Sequence, residues 1–318
     1  MSGINPGQIA FVADGVTYHV NPTNGLSDNI GTHAQLAVKT IDQAYALASA
    51  AGLTSFQVVL AAGVSHAMPT SNPDSNISFV SQNGVLPFGA APSIANGTWA
   101  SPASRKYSFH GITFKGATTF AGNAIEQRQC ACEAGSALTF TAASVVSYDN
   151  DFSRSNSCSI SCPTSATPAV SVSADGTNWG NNLSVSGTSD AASATLQVLD
   201  DALIAPSIQA YGKLFQYGGT WVAKTNSSAS IGMSANGYVY AQGVRAVRPD
   251  GTDGTINFSG GVKEFVAVDY AATGNTDNAT DASPAVDIKV KGLLASSLNP
   301  NQVFIDTGYG DDTTGVGT

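Results

Sequence analysis

Short apolar runs bounded by turn residues recur along this chain of 318 residues. They are 56–61 (FQVVLA), 77–81 (ISFVS), 107–114 (YSFHGITF), 138–148 (LTFTAASVVSY), 157–161 (SCSIS), 169–173 (AVSVS), 183–186 (LSVS) and 194–199 (ATLQVL). Each alternates or is apolar throughout, and Gly, Asn, Pro, Ser or Asp closes it. A period of two sends successive side chains to opposite faces, so these pieces read as β-strands. One segment keeps another period. Val38, Ile41, Tyr45 and Ala48 follow at steps of three, four and three, which gathers them on one helical face. Gly52 stands where a C′ glycine closes a helix. The spacing predicts one helix over 35–51, followed by a chain almost without helix signals.

Turn chemistry divides the rest. Residues 8–20 (QIAFVADGVTYHV) read as a hairpin about Asp14-Gly15. Beyond residue 212 the strand candidates lengthen and look hairpin-like, with turn signals at Asn236-Gly237 and Asp250-Gly251. The polar stretch 273–284 is expected to be an exposed loop, and the end GYGDDTTGVGT a flexible tail. The expected organisation is an N-terminal hairpin and capping helix over 1–55, stacked coils over 56–212, and a C-terminal β-rich domain or wider final coils over 213–318.

Composition narrows the architecture. Charged residues make up 11% of the chain, against roughly a quarter in ordinary globular domains. Glu, a good helix former, occurs only at Glu126, Glu133 and Glu264. Many short strands fit a sandwich, a barrel or a solenoid, and the low charge favours stacked coils that bury a continuous core. The formal net charge is −9, from 13 basic and 22 acidic residues. No Lys/Arg cluster occurs, which argues against nucleic acid and anionic membranes as partners. No run approaches the length of a membrane span, and MSGINPGQIAF has neither the basic nor the apolar region of a signal peptide. The expectation is a chain made in a host cytoplasm that reaches the outside on the surface of a particle.

The opening stretch GLSDNIGTHAQ, then Lys39-Thr40-Ile41, then DQAYALASAAG, then FQVVLAAG resembles the start of right-handed parallel β-helix proteins of the pectate-lyase-like superfamily, above all its phage and bacterial-surface branch. YSFHGITFKGA and SVVSYDNDFSRSNS look like coils of that fold, with Asn150 where such coils stack asparagine at a turn. The resemblance covers about 15–210. It implies an all-β, right-handed parallel β-helix whose helix lids the first coil, and it implies a homotrimer. Its functions range over lyases, hydrolases, tailspikes, adhesins and inert virion proteins.

Several residue sets could carry chemistry. Cys130-x-Cys132 and Cys158-x3-Cys162 could be zinc ligands, two disulfides or buried free thiols. Asp149 and Asp151, with Glu133 on a neighbouring coil, are the carboxylates that a glycosidase would need, and Asp200-Asp201 is a further pair. The competing reading is that Asp and Asn satisfy turn backbones. Tyr211, Phe215, Tyr217, Trp221, Tyr238 and Tyr240 could stack on sugars, fill a subunit interface or form a core. Arg105, Arg128 and Arg154 are scattered. The histidines lack metal-binding spacing, and no phosphate loop or serine-nucleophile motif occurs in context. No cofactor is expected.

Three functions follow. The first is a structural virion protein, a homotrimeric capsid decoration (cement) protein or short head fibre bound to major capsid or tail proteins. The second is a tailspike that binds and cleaves host surface polysaccharide. The third is a non-catalytic adhesin that reads a host glycan.

Overall fold

Parallel pairing begins with the first described strand and continues along the chain. The computed structural model describes residues 16–83, 91–164, 169–234, 236–252 and 254, with the backbone of the strands Ile256–Phe258, Val262–Val266 and Ile288–Val290. The Asp14-Gly15 turn, the loop 273–284 and the acidic tail lie outside these residues. Two compact units divide the chain, Met1–Ser155 and Asn156–Thr318.

In the first unit Thr17–Val20 pairs in parallel with Ser55–Leu60, which pairs with Asn76–Ser81. The ladder continues through the end of Gly97–His110, the end of Ala117–Arg128 and Ser144–Tyr148. A second wall is built by the starts of those two long strands with Ala137–Phe140. A third is built by Ser65–His66, Ser93–Ile94, Thr113–Phe114 and Ala131–Cys132. Neighbouring parallel strands need a crossover, and here the crossover is the remainder of each coil. The result is a parallel β-helix, the all-β fold expected from the sequence.

Its interior is aromatic. Trp99, Phe120 and Phe140 share one register column, and Phe120 stacks on Phe140 at 5.2 Å. Phe79 stacks on Phe109 at 5.1 Å. Strands of adjacent coils lie about 4.8 Å apart, which is close to an offset-stacking distance for like rings in like positions.

The helix is Ile41–Ala50, shorter than the span predicted. Thr40 and Gln43 form a capping box: the Gln43 amide donates to Thr40 Oγ1 at 3.2 Å, and the Thr40 amide to Gln43 Oε1 at 2.9 Å. Before it, Ala34–Leu36 is a single 3-10 turn, and Val38 is held extended by a parallel bridge to Val20. That bridge moves the start from 35 to 41. The end matches the expectation: Gly52 is left-handed (φ 69), and Leu53 and Gly52 donate to the carbonyls of Ala48 and Ser49. Ile41, Ala44, Tyr45 and Ala48 are buried, and the Tyr45 ring packs on Phe56 and Phe79 at 6.0 and 6.5 Å.

The second unit repeats the plan with a more aliphatic interior, which also holds the buried Trp179 and Trp221. Val170–Asp175, Ala194–Leu199, Gly212–Tyr217, Tyr238–Gln242 and Val262–Val266 pair in parallel, and Ile288–Val290 follows on the last of these. Val172, Leu196, Leu214 and Val239 form one buried column. Ala202–Ile204, Thr220–Val222 and Arg245–Val247 make another wall. The hairpin look beyond 212 has a simple cause. Asn236 (φ 61) turns the chain between Ile231–Met233 and Tyr238–Gln242, yet each strand pairs with the coil before it rather than with the other.

Corners recur in columns. Gly111, Gln129 and Asp149 are all left-handed (φ 66, 51 and 49). The amides of Gly111 and Gln129 donate to Arg128 and Tyr148, the residues that precede the next corner in the stack. Asp200, Gly218 and Gly243 repeat the arrangement in the second unit.

Candidate functional site

Two surfaces gather chemistry, one in each unit. The first is a groove of about 520 Å³ along the short-stranded wall of the first unit. Its floor is a register row in which Ser65, Ser93, Thr113 and Ala131 succeed one another, with Asp151 bridged to Ala131. Lys115 and Glu133 follow Thr113–Phe114 and Ala131–Cys132 at equivalent places, and Lys115 Nζ lies 3.6 Å from Glu133 Oε1. Arg154 completes the lining.

Of Asp149, Asp151 and Glu133, weighed together from the sequence, two line this groove. Glu133 and Asp151 line the groove, and Asp149 is an exposed left-handed corner residue outside that lining. The even spacing of Asp149 and Asp151 puts them on one face of a straight strand, but the chain turns at Asp149. Asp151 has local work: its Oδ1 accepts the Ser153 amide at 3.1 Å and the Ser153 hydroxyl at 2.6 Å. Such a turn gives a carboxylate a structural reason to be present. Lys115 and Arg154 were not singled out as groove residues from the sequence. The signal for Lys115 was its place one residue past a strand, matching that of Glu133.

Asn150, between the two aspartates, points inward. It accepts the Cys130 amide at 2.7 Å and donates to Ser147 Oγ at 2.7 Å and the Gln127 carbonyl at 3.2 Å. Asp201 occupies the matching place after a corner in the second unit. It accepts the Thr177 amide at 2.9 Å and the Trp179 indole at 3.1 Å. Burial pushes its carboxyl up to about 6, against the pull of those two donors.

All four cysteines are buried, and none is in a disulfide. Cys130 and Cys132 belong to the first unit, Cys158 and Cys162 to the second. Burial pushes the Cys130 thiol up to about 12, which suits packing rather than reactivity. Among the described residues no three His, Cys, Asp or Glu side chains converge as a metal site.

The second surface is the outward side of the sheet Ala194–Leu199, Gly212–Tyr217 and Tyr238–Gln242. Alternation sends Leu214, Gln216, Val239 and Ala241 inward and leaves Phe215, Tyr217, Tyr238 and Tyr240 half-buried on the outer face. Phe215 lies 5.3 Å from Tyr238 and 6.4 Å from Tyr240, and Tyr217 lies 5.5 Å from Tyr240. The coil before adds Gln197 opposite Phe215 and Leu199 opposite Tyr217. Leu199 is 45% exposed. Tyr240 donates to Gln242 at 3.3 Å.

Four of the six aromatic candidates therefore share a platform. Trp221 does not: it is buried and donates its indole N–H to Gln216 Oε1 at 2.7 Å. Tyr211 is a left-handed corner residue (φ 55) whose amide donates to Asn236. Lys213 is in register with Tyr238, and Glu264 on the next strand is in register with Tyr240.

No helix among the described residues is long and apolar enough to cross a membrane. The chain matches no known protein family, no curated protein and no solved structure.

Proposed function

We propose that this chain is a structural binding protein of a bacteriophage particle, a homotrimeric capsid decoration protein or short head fibre that works by docking and not by turnover. The observation that carries this reading is the platform of Phe215, Tyr217, Tyr238 and Tyr240, extended by Leu199. A contiguous apolar patch on an outer sheet face marks a site of association, and Tyr and Phe are enriched at subunit interfaces. Copies of a stiff solenoid joined along such a face would present their remaining contacts together, so weak single contacts add by avidity. Two measurements test this. The copy number in purified particles, by quantitative mass spectrometry against the major capsid protein, should be in the hundreds. The isolated protein should have three times the chain mass by light scattering, and Phe215→Ser with Tyr240→Ser should reduce it to a monomer. A wild-type monomer sinks the trimer, and absence from particles sinks the virion assignment.

A second reading has its own observation. Glu133 and Asp151 line one groove with Lys115 and Arg154, which suits a tailspike that cleaves host polysaccharide. Release of reducing ends by the wild type, abolished in Glu133→Gln and Asp151→Asn, would establish it. Binding of a glycan without cleavage would establish a non-catalytic adhesin instead.

A further inference from the structure

A separate cluster lies on the outer face of the first unit's longest ladder. Glu126 projects outward from the strand Ala117–Arg128, and its side chain is only 8% exposed. Lys106 Nζ lies 2.8 Å from Glu126 Oε2, and Arg128 Nε lies 2.6 Å from Glu126 Oε1. Those two cationic side chains are 38% and 34% exposed. The anion therefore sits beneath and the cations above, so a molecule approaching from solvent meets positive charge first. One carboxylate between two cations leaves a local charge of +1, in a chain whose formal total is −9.

The arginine is held in place from two sides. Glu126 takes its Nε–H, and its guanidinium carbon lies 4.4 Å from the centroid of the Tyr148 ring. Arg128 and Tyr148 are register partners, as are His110 and Arg128. A guanidinium has five N–H donors in a fixed fork. Its terminal nitrogens make no hydrogen bond among the described residues. A fork fixed at Nε and stacked on a ring has lost its rotamer freedom before any ligand arrives, which lowers the cost of binding. The adjoining outward positions are Val80, in register with His110, and Val146, in register with Glu126.

We propose that Arg128, clamped by Glu126 and seated on Tyr148 with Lys106 and His110 beside it, is a binding site for an organic monocarboxylate. The fork takes the two carboxylate oxygens, Lys106 supplies the second charge, and Tyr148 with Val80 and Val146 contacts the carbon skeleton. A net charge of +1 matches a monoanion, and the ring and valines favour an organic ligand over an inorganic ion. This site is independent of the groove and of the aromatic platform.

The test is titration of the full chain with D-glucuronate, with glucose as the neutral ring of the same shape and sulfate as the inorganic anion. The readout is NMR of the arginine Nε–H and tyrosine ring signals. Glucuronate should shift the Arg128 and Tyr148 signals in a saturable way, and glucose should not. Arg128→Lys keeps the charge and removes the fork, and should weaken glucuronate at least about tenfold. Tyr148→Leu, a second variant checked for native circular dichroism, should also weaken it. Equal response to glucose and glucuronate, no response to glucuronate, or full affinity in Arg128→Lys overturns the proposal. Tighter binding of sulfate than of glucuronate overturns the organic assignment.

Discussion

Trp179 donates its indole N–H to a carboxylate oxygen of Asp201 across 3.1 Å, with both residues buried inside the second unit. The acid is kept because it satisfies two donors, and it carries its charge at the expense of burial. The Asp201 main chain is engaged as well. Its carbonyl accepts Gln216 Nε2 at 3.2 Å, and Gln216 Oε1 accepts Trp221. A line of polar contacts therefore joins Trp179 to Trp221 through an otherwise apolar interior. Asp201 also gives the unit a definite response to pH.

A carboxyl whose folded value is about 6, against 3.8 for the ordinary group, holds its proton more tightly in the folded state than in the unfolded chain. Its contribution to stability therefore grows as pH falls from about 7 to about 4. Hydrogen-exchange protection over residues 170–217, taken relative to the intrinsic rate at each pH, should rise on acidification through this window, and Asp201→Asn should remove the dependence. No histidine lies in the second unit, so none opposes the trend. Protection that falls between pH 7 and pH 5 would contradict the assignment.

The first unit should respond with the opposite sign. Burial lowers His66 and His110 from the ordinary value of 6.5. For a base lowered by folding, the unfolded chain binds the proton more tightly, so stability rises with pH and is complete above 6.5. Protection of residues 56–81 and 107–128, measured as exchange relative to the intrinsic rate at each pH, should rise from pH 5 to pH 7. His66→Gln should flatten the response over the first of these stretches, and an unchanged profile in that variant would count against the histidine.

Thr40→Ala removes one half of the capping box and should cost about 1 kcal/mol. The check is the urea midpoint, with Thr40→Ser as the variant that keeps the cap. Equal losses in both would show that the hydroxyl does not cap.

Tyr45 separates packing from polarity. Its ring fills space against Phe56 and Phe79, and its hydroxyl is buried without a hydrogen-bond partner among the described residues. Tyr45→Ala should cost about 3–5 kcal/mol, whereas Tyr45→Phe should be neutral or stabilising. The contrast also tests the helix as a lid on the first coil. A Tyr45→Ala protein with unchanged exchange over residues 55–81 would mean that the helix does not protect that coil.

Adjacent residues 149 and 150 should behave in opposite ways. Asn150→Ala strands the Cys130 amide and should cost about 1–3 kcal/mol. Asp149→Gly relieves a left-handed non-glycine corner and should be neutral or stabilising. Thermal unfolding of the two variants measures both. A large loss in Asp149→Gly would give Asp149 a structural role that its exposed position does not suggest.

What could be read from the chain alone was local. The strands Ser157–Ser161, Leu183–Ser186 and Ala194–Leu199 lie where their alternation put them. The Gly52 stop and the buried face through Ile41, Tyr45 and Ala48 were legible for the same reason: caps and periodicity act over a few residues. The aromatic platform was half legible, because alternation places Phe215 with Tyr217 and Tyr238 with Tyr240. The meeting of those two pairs depends on register.

Register was decided by the tertiary structure, because the coils are of unequal length. Val170 pairs with Ala194 and Ala194 with Gly212, and then Lys213 pairs with Tyr238. No fixed period links those positions, so no repeat in the sequence announces which side chains stack. The sequence determined an all-β chain of short strands with one capped helix, since those features need only neighbours along the backbone. The solenoid decided that Glu126 lies between Lys106 and Arg128, that Glu133 and Asp151 share a groove, and that Asp149 does not. Those relationships run across coils, where hydrogen bonding between parallel strands and filling of the core fix the alignment.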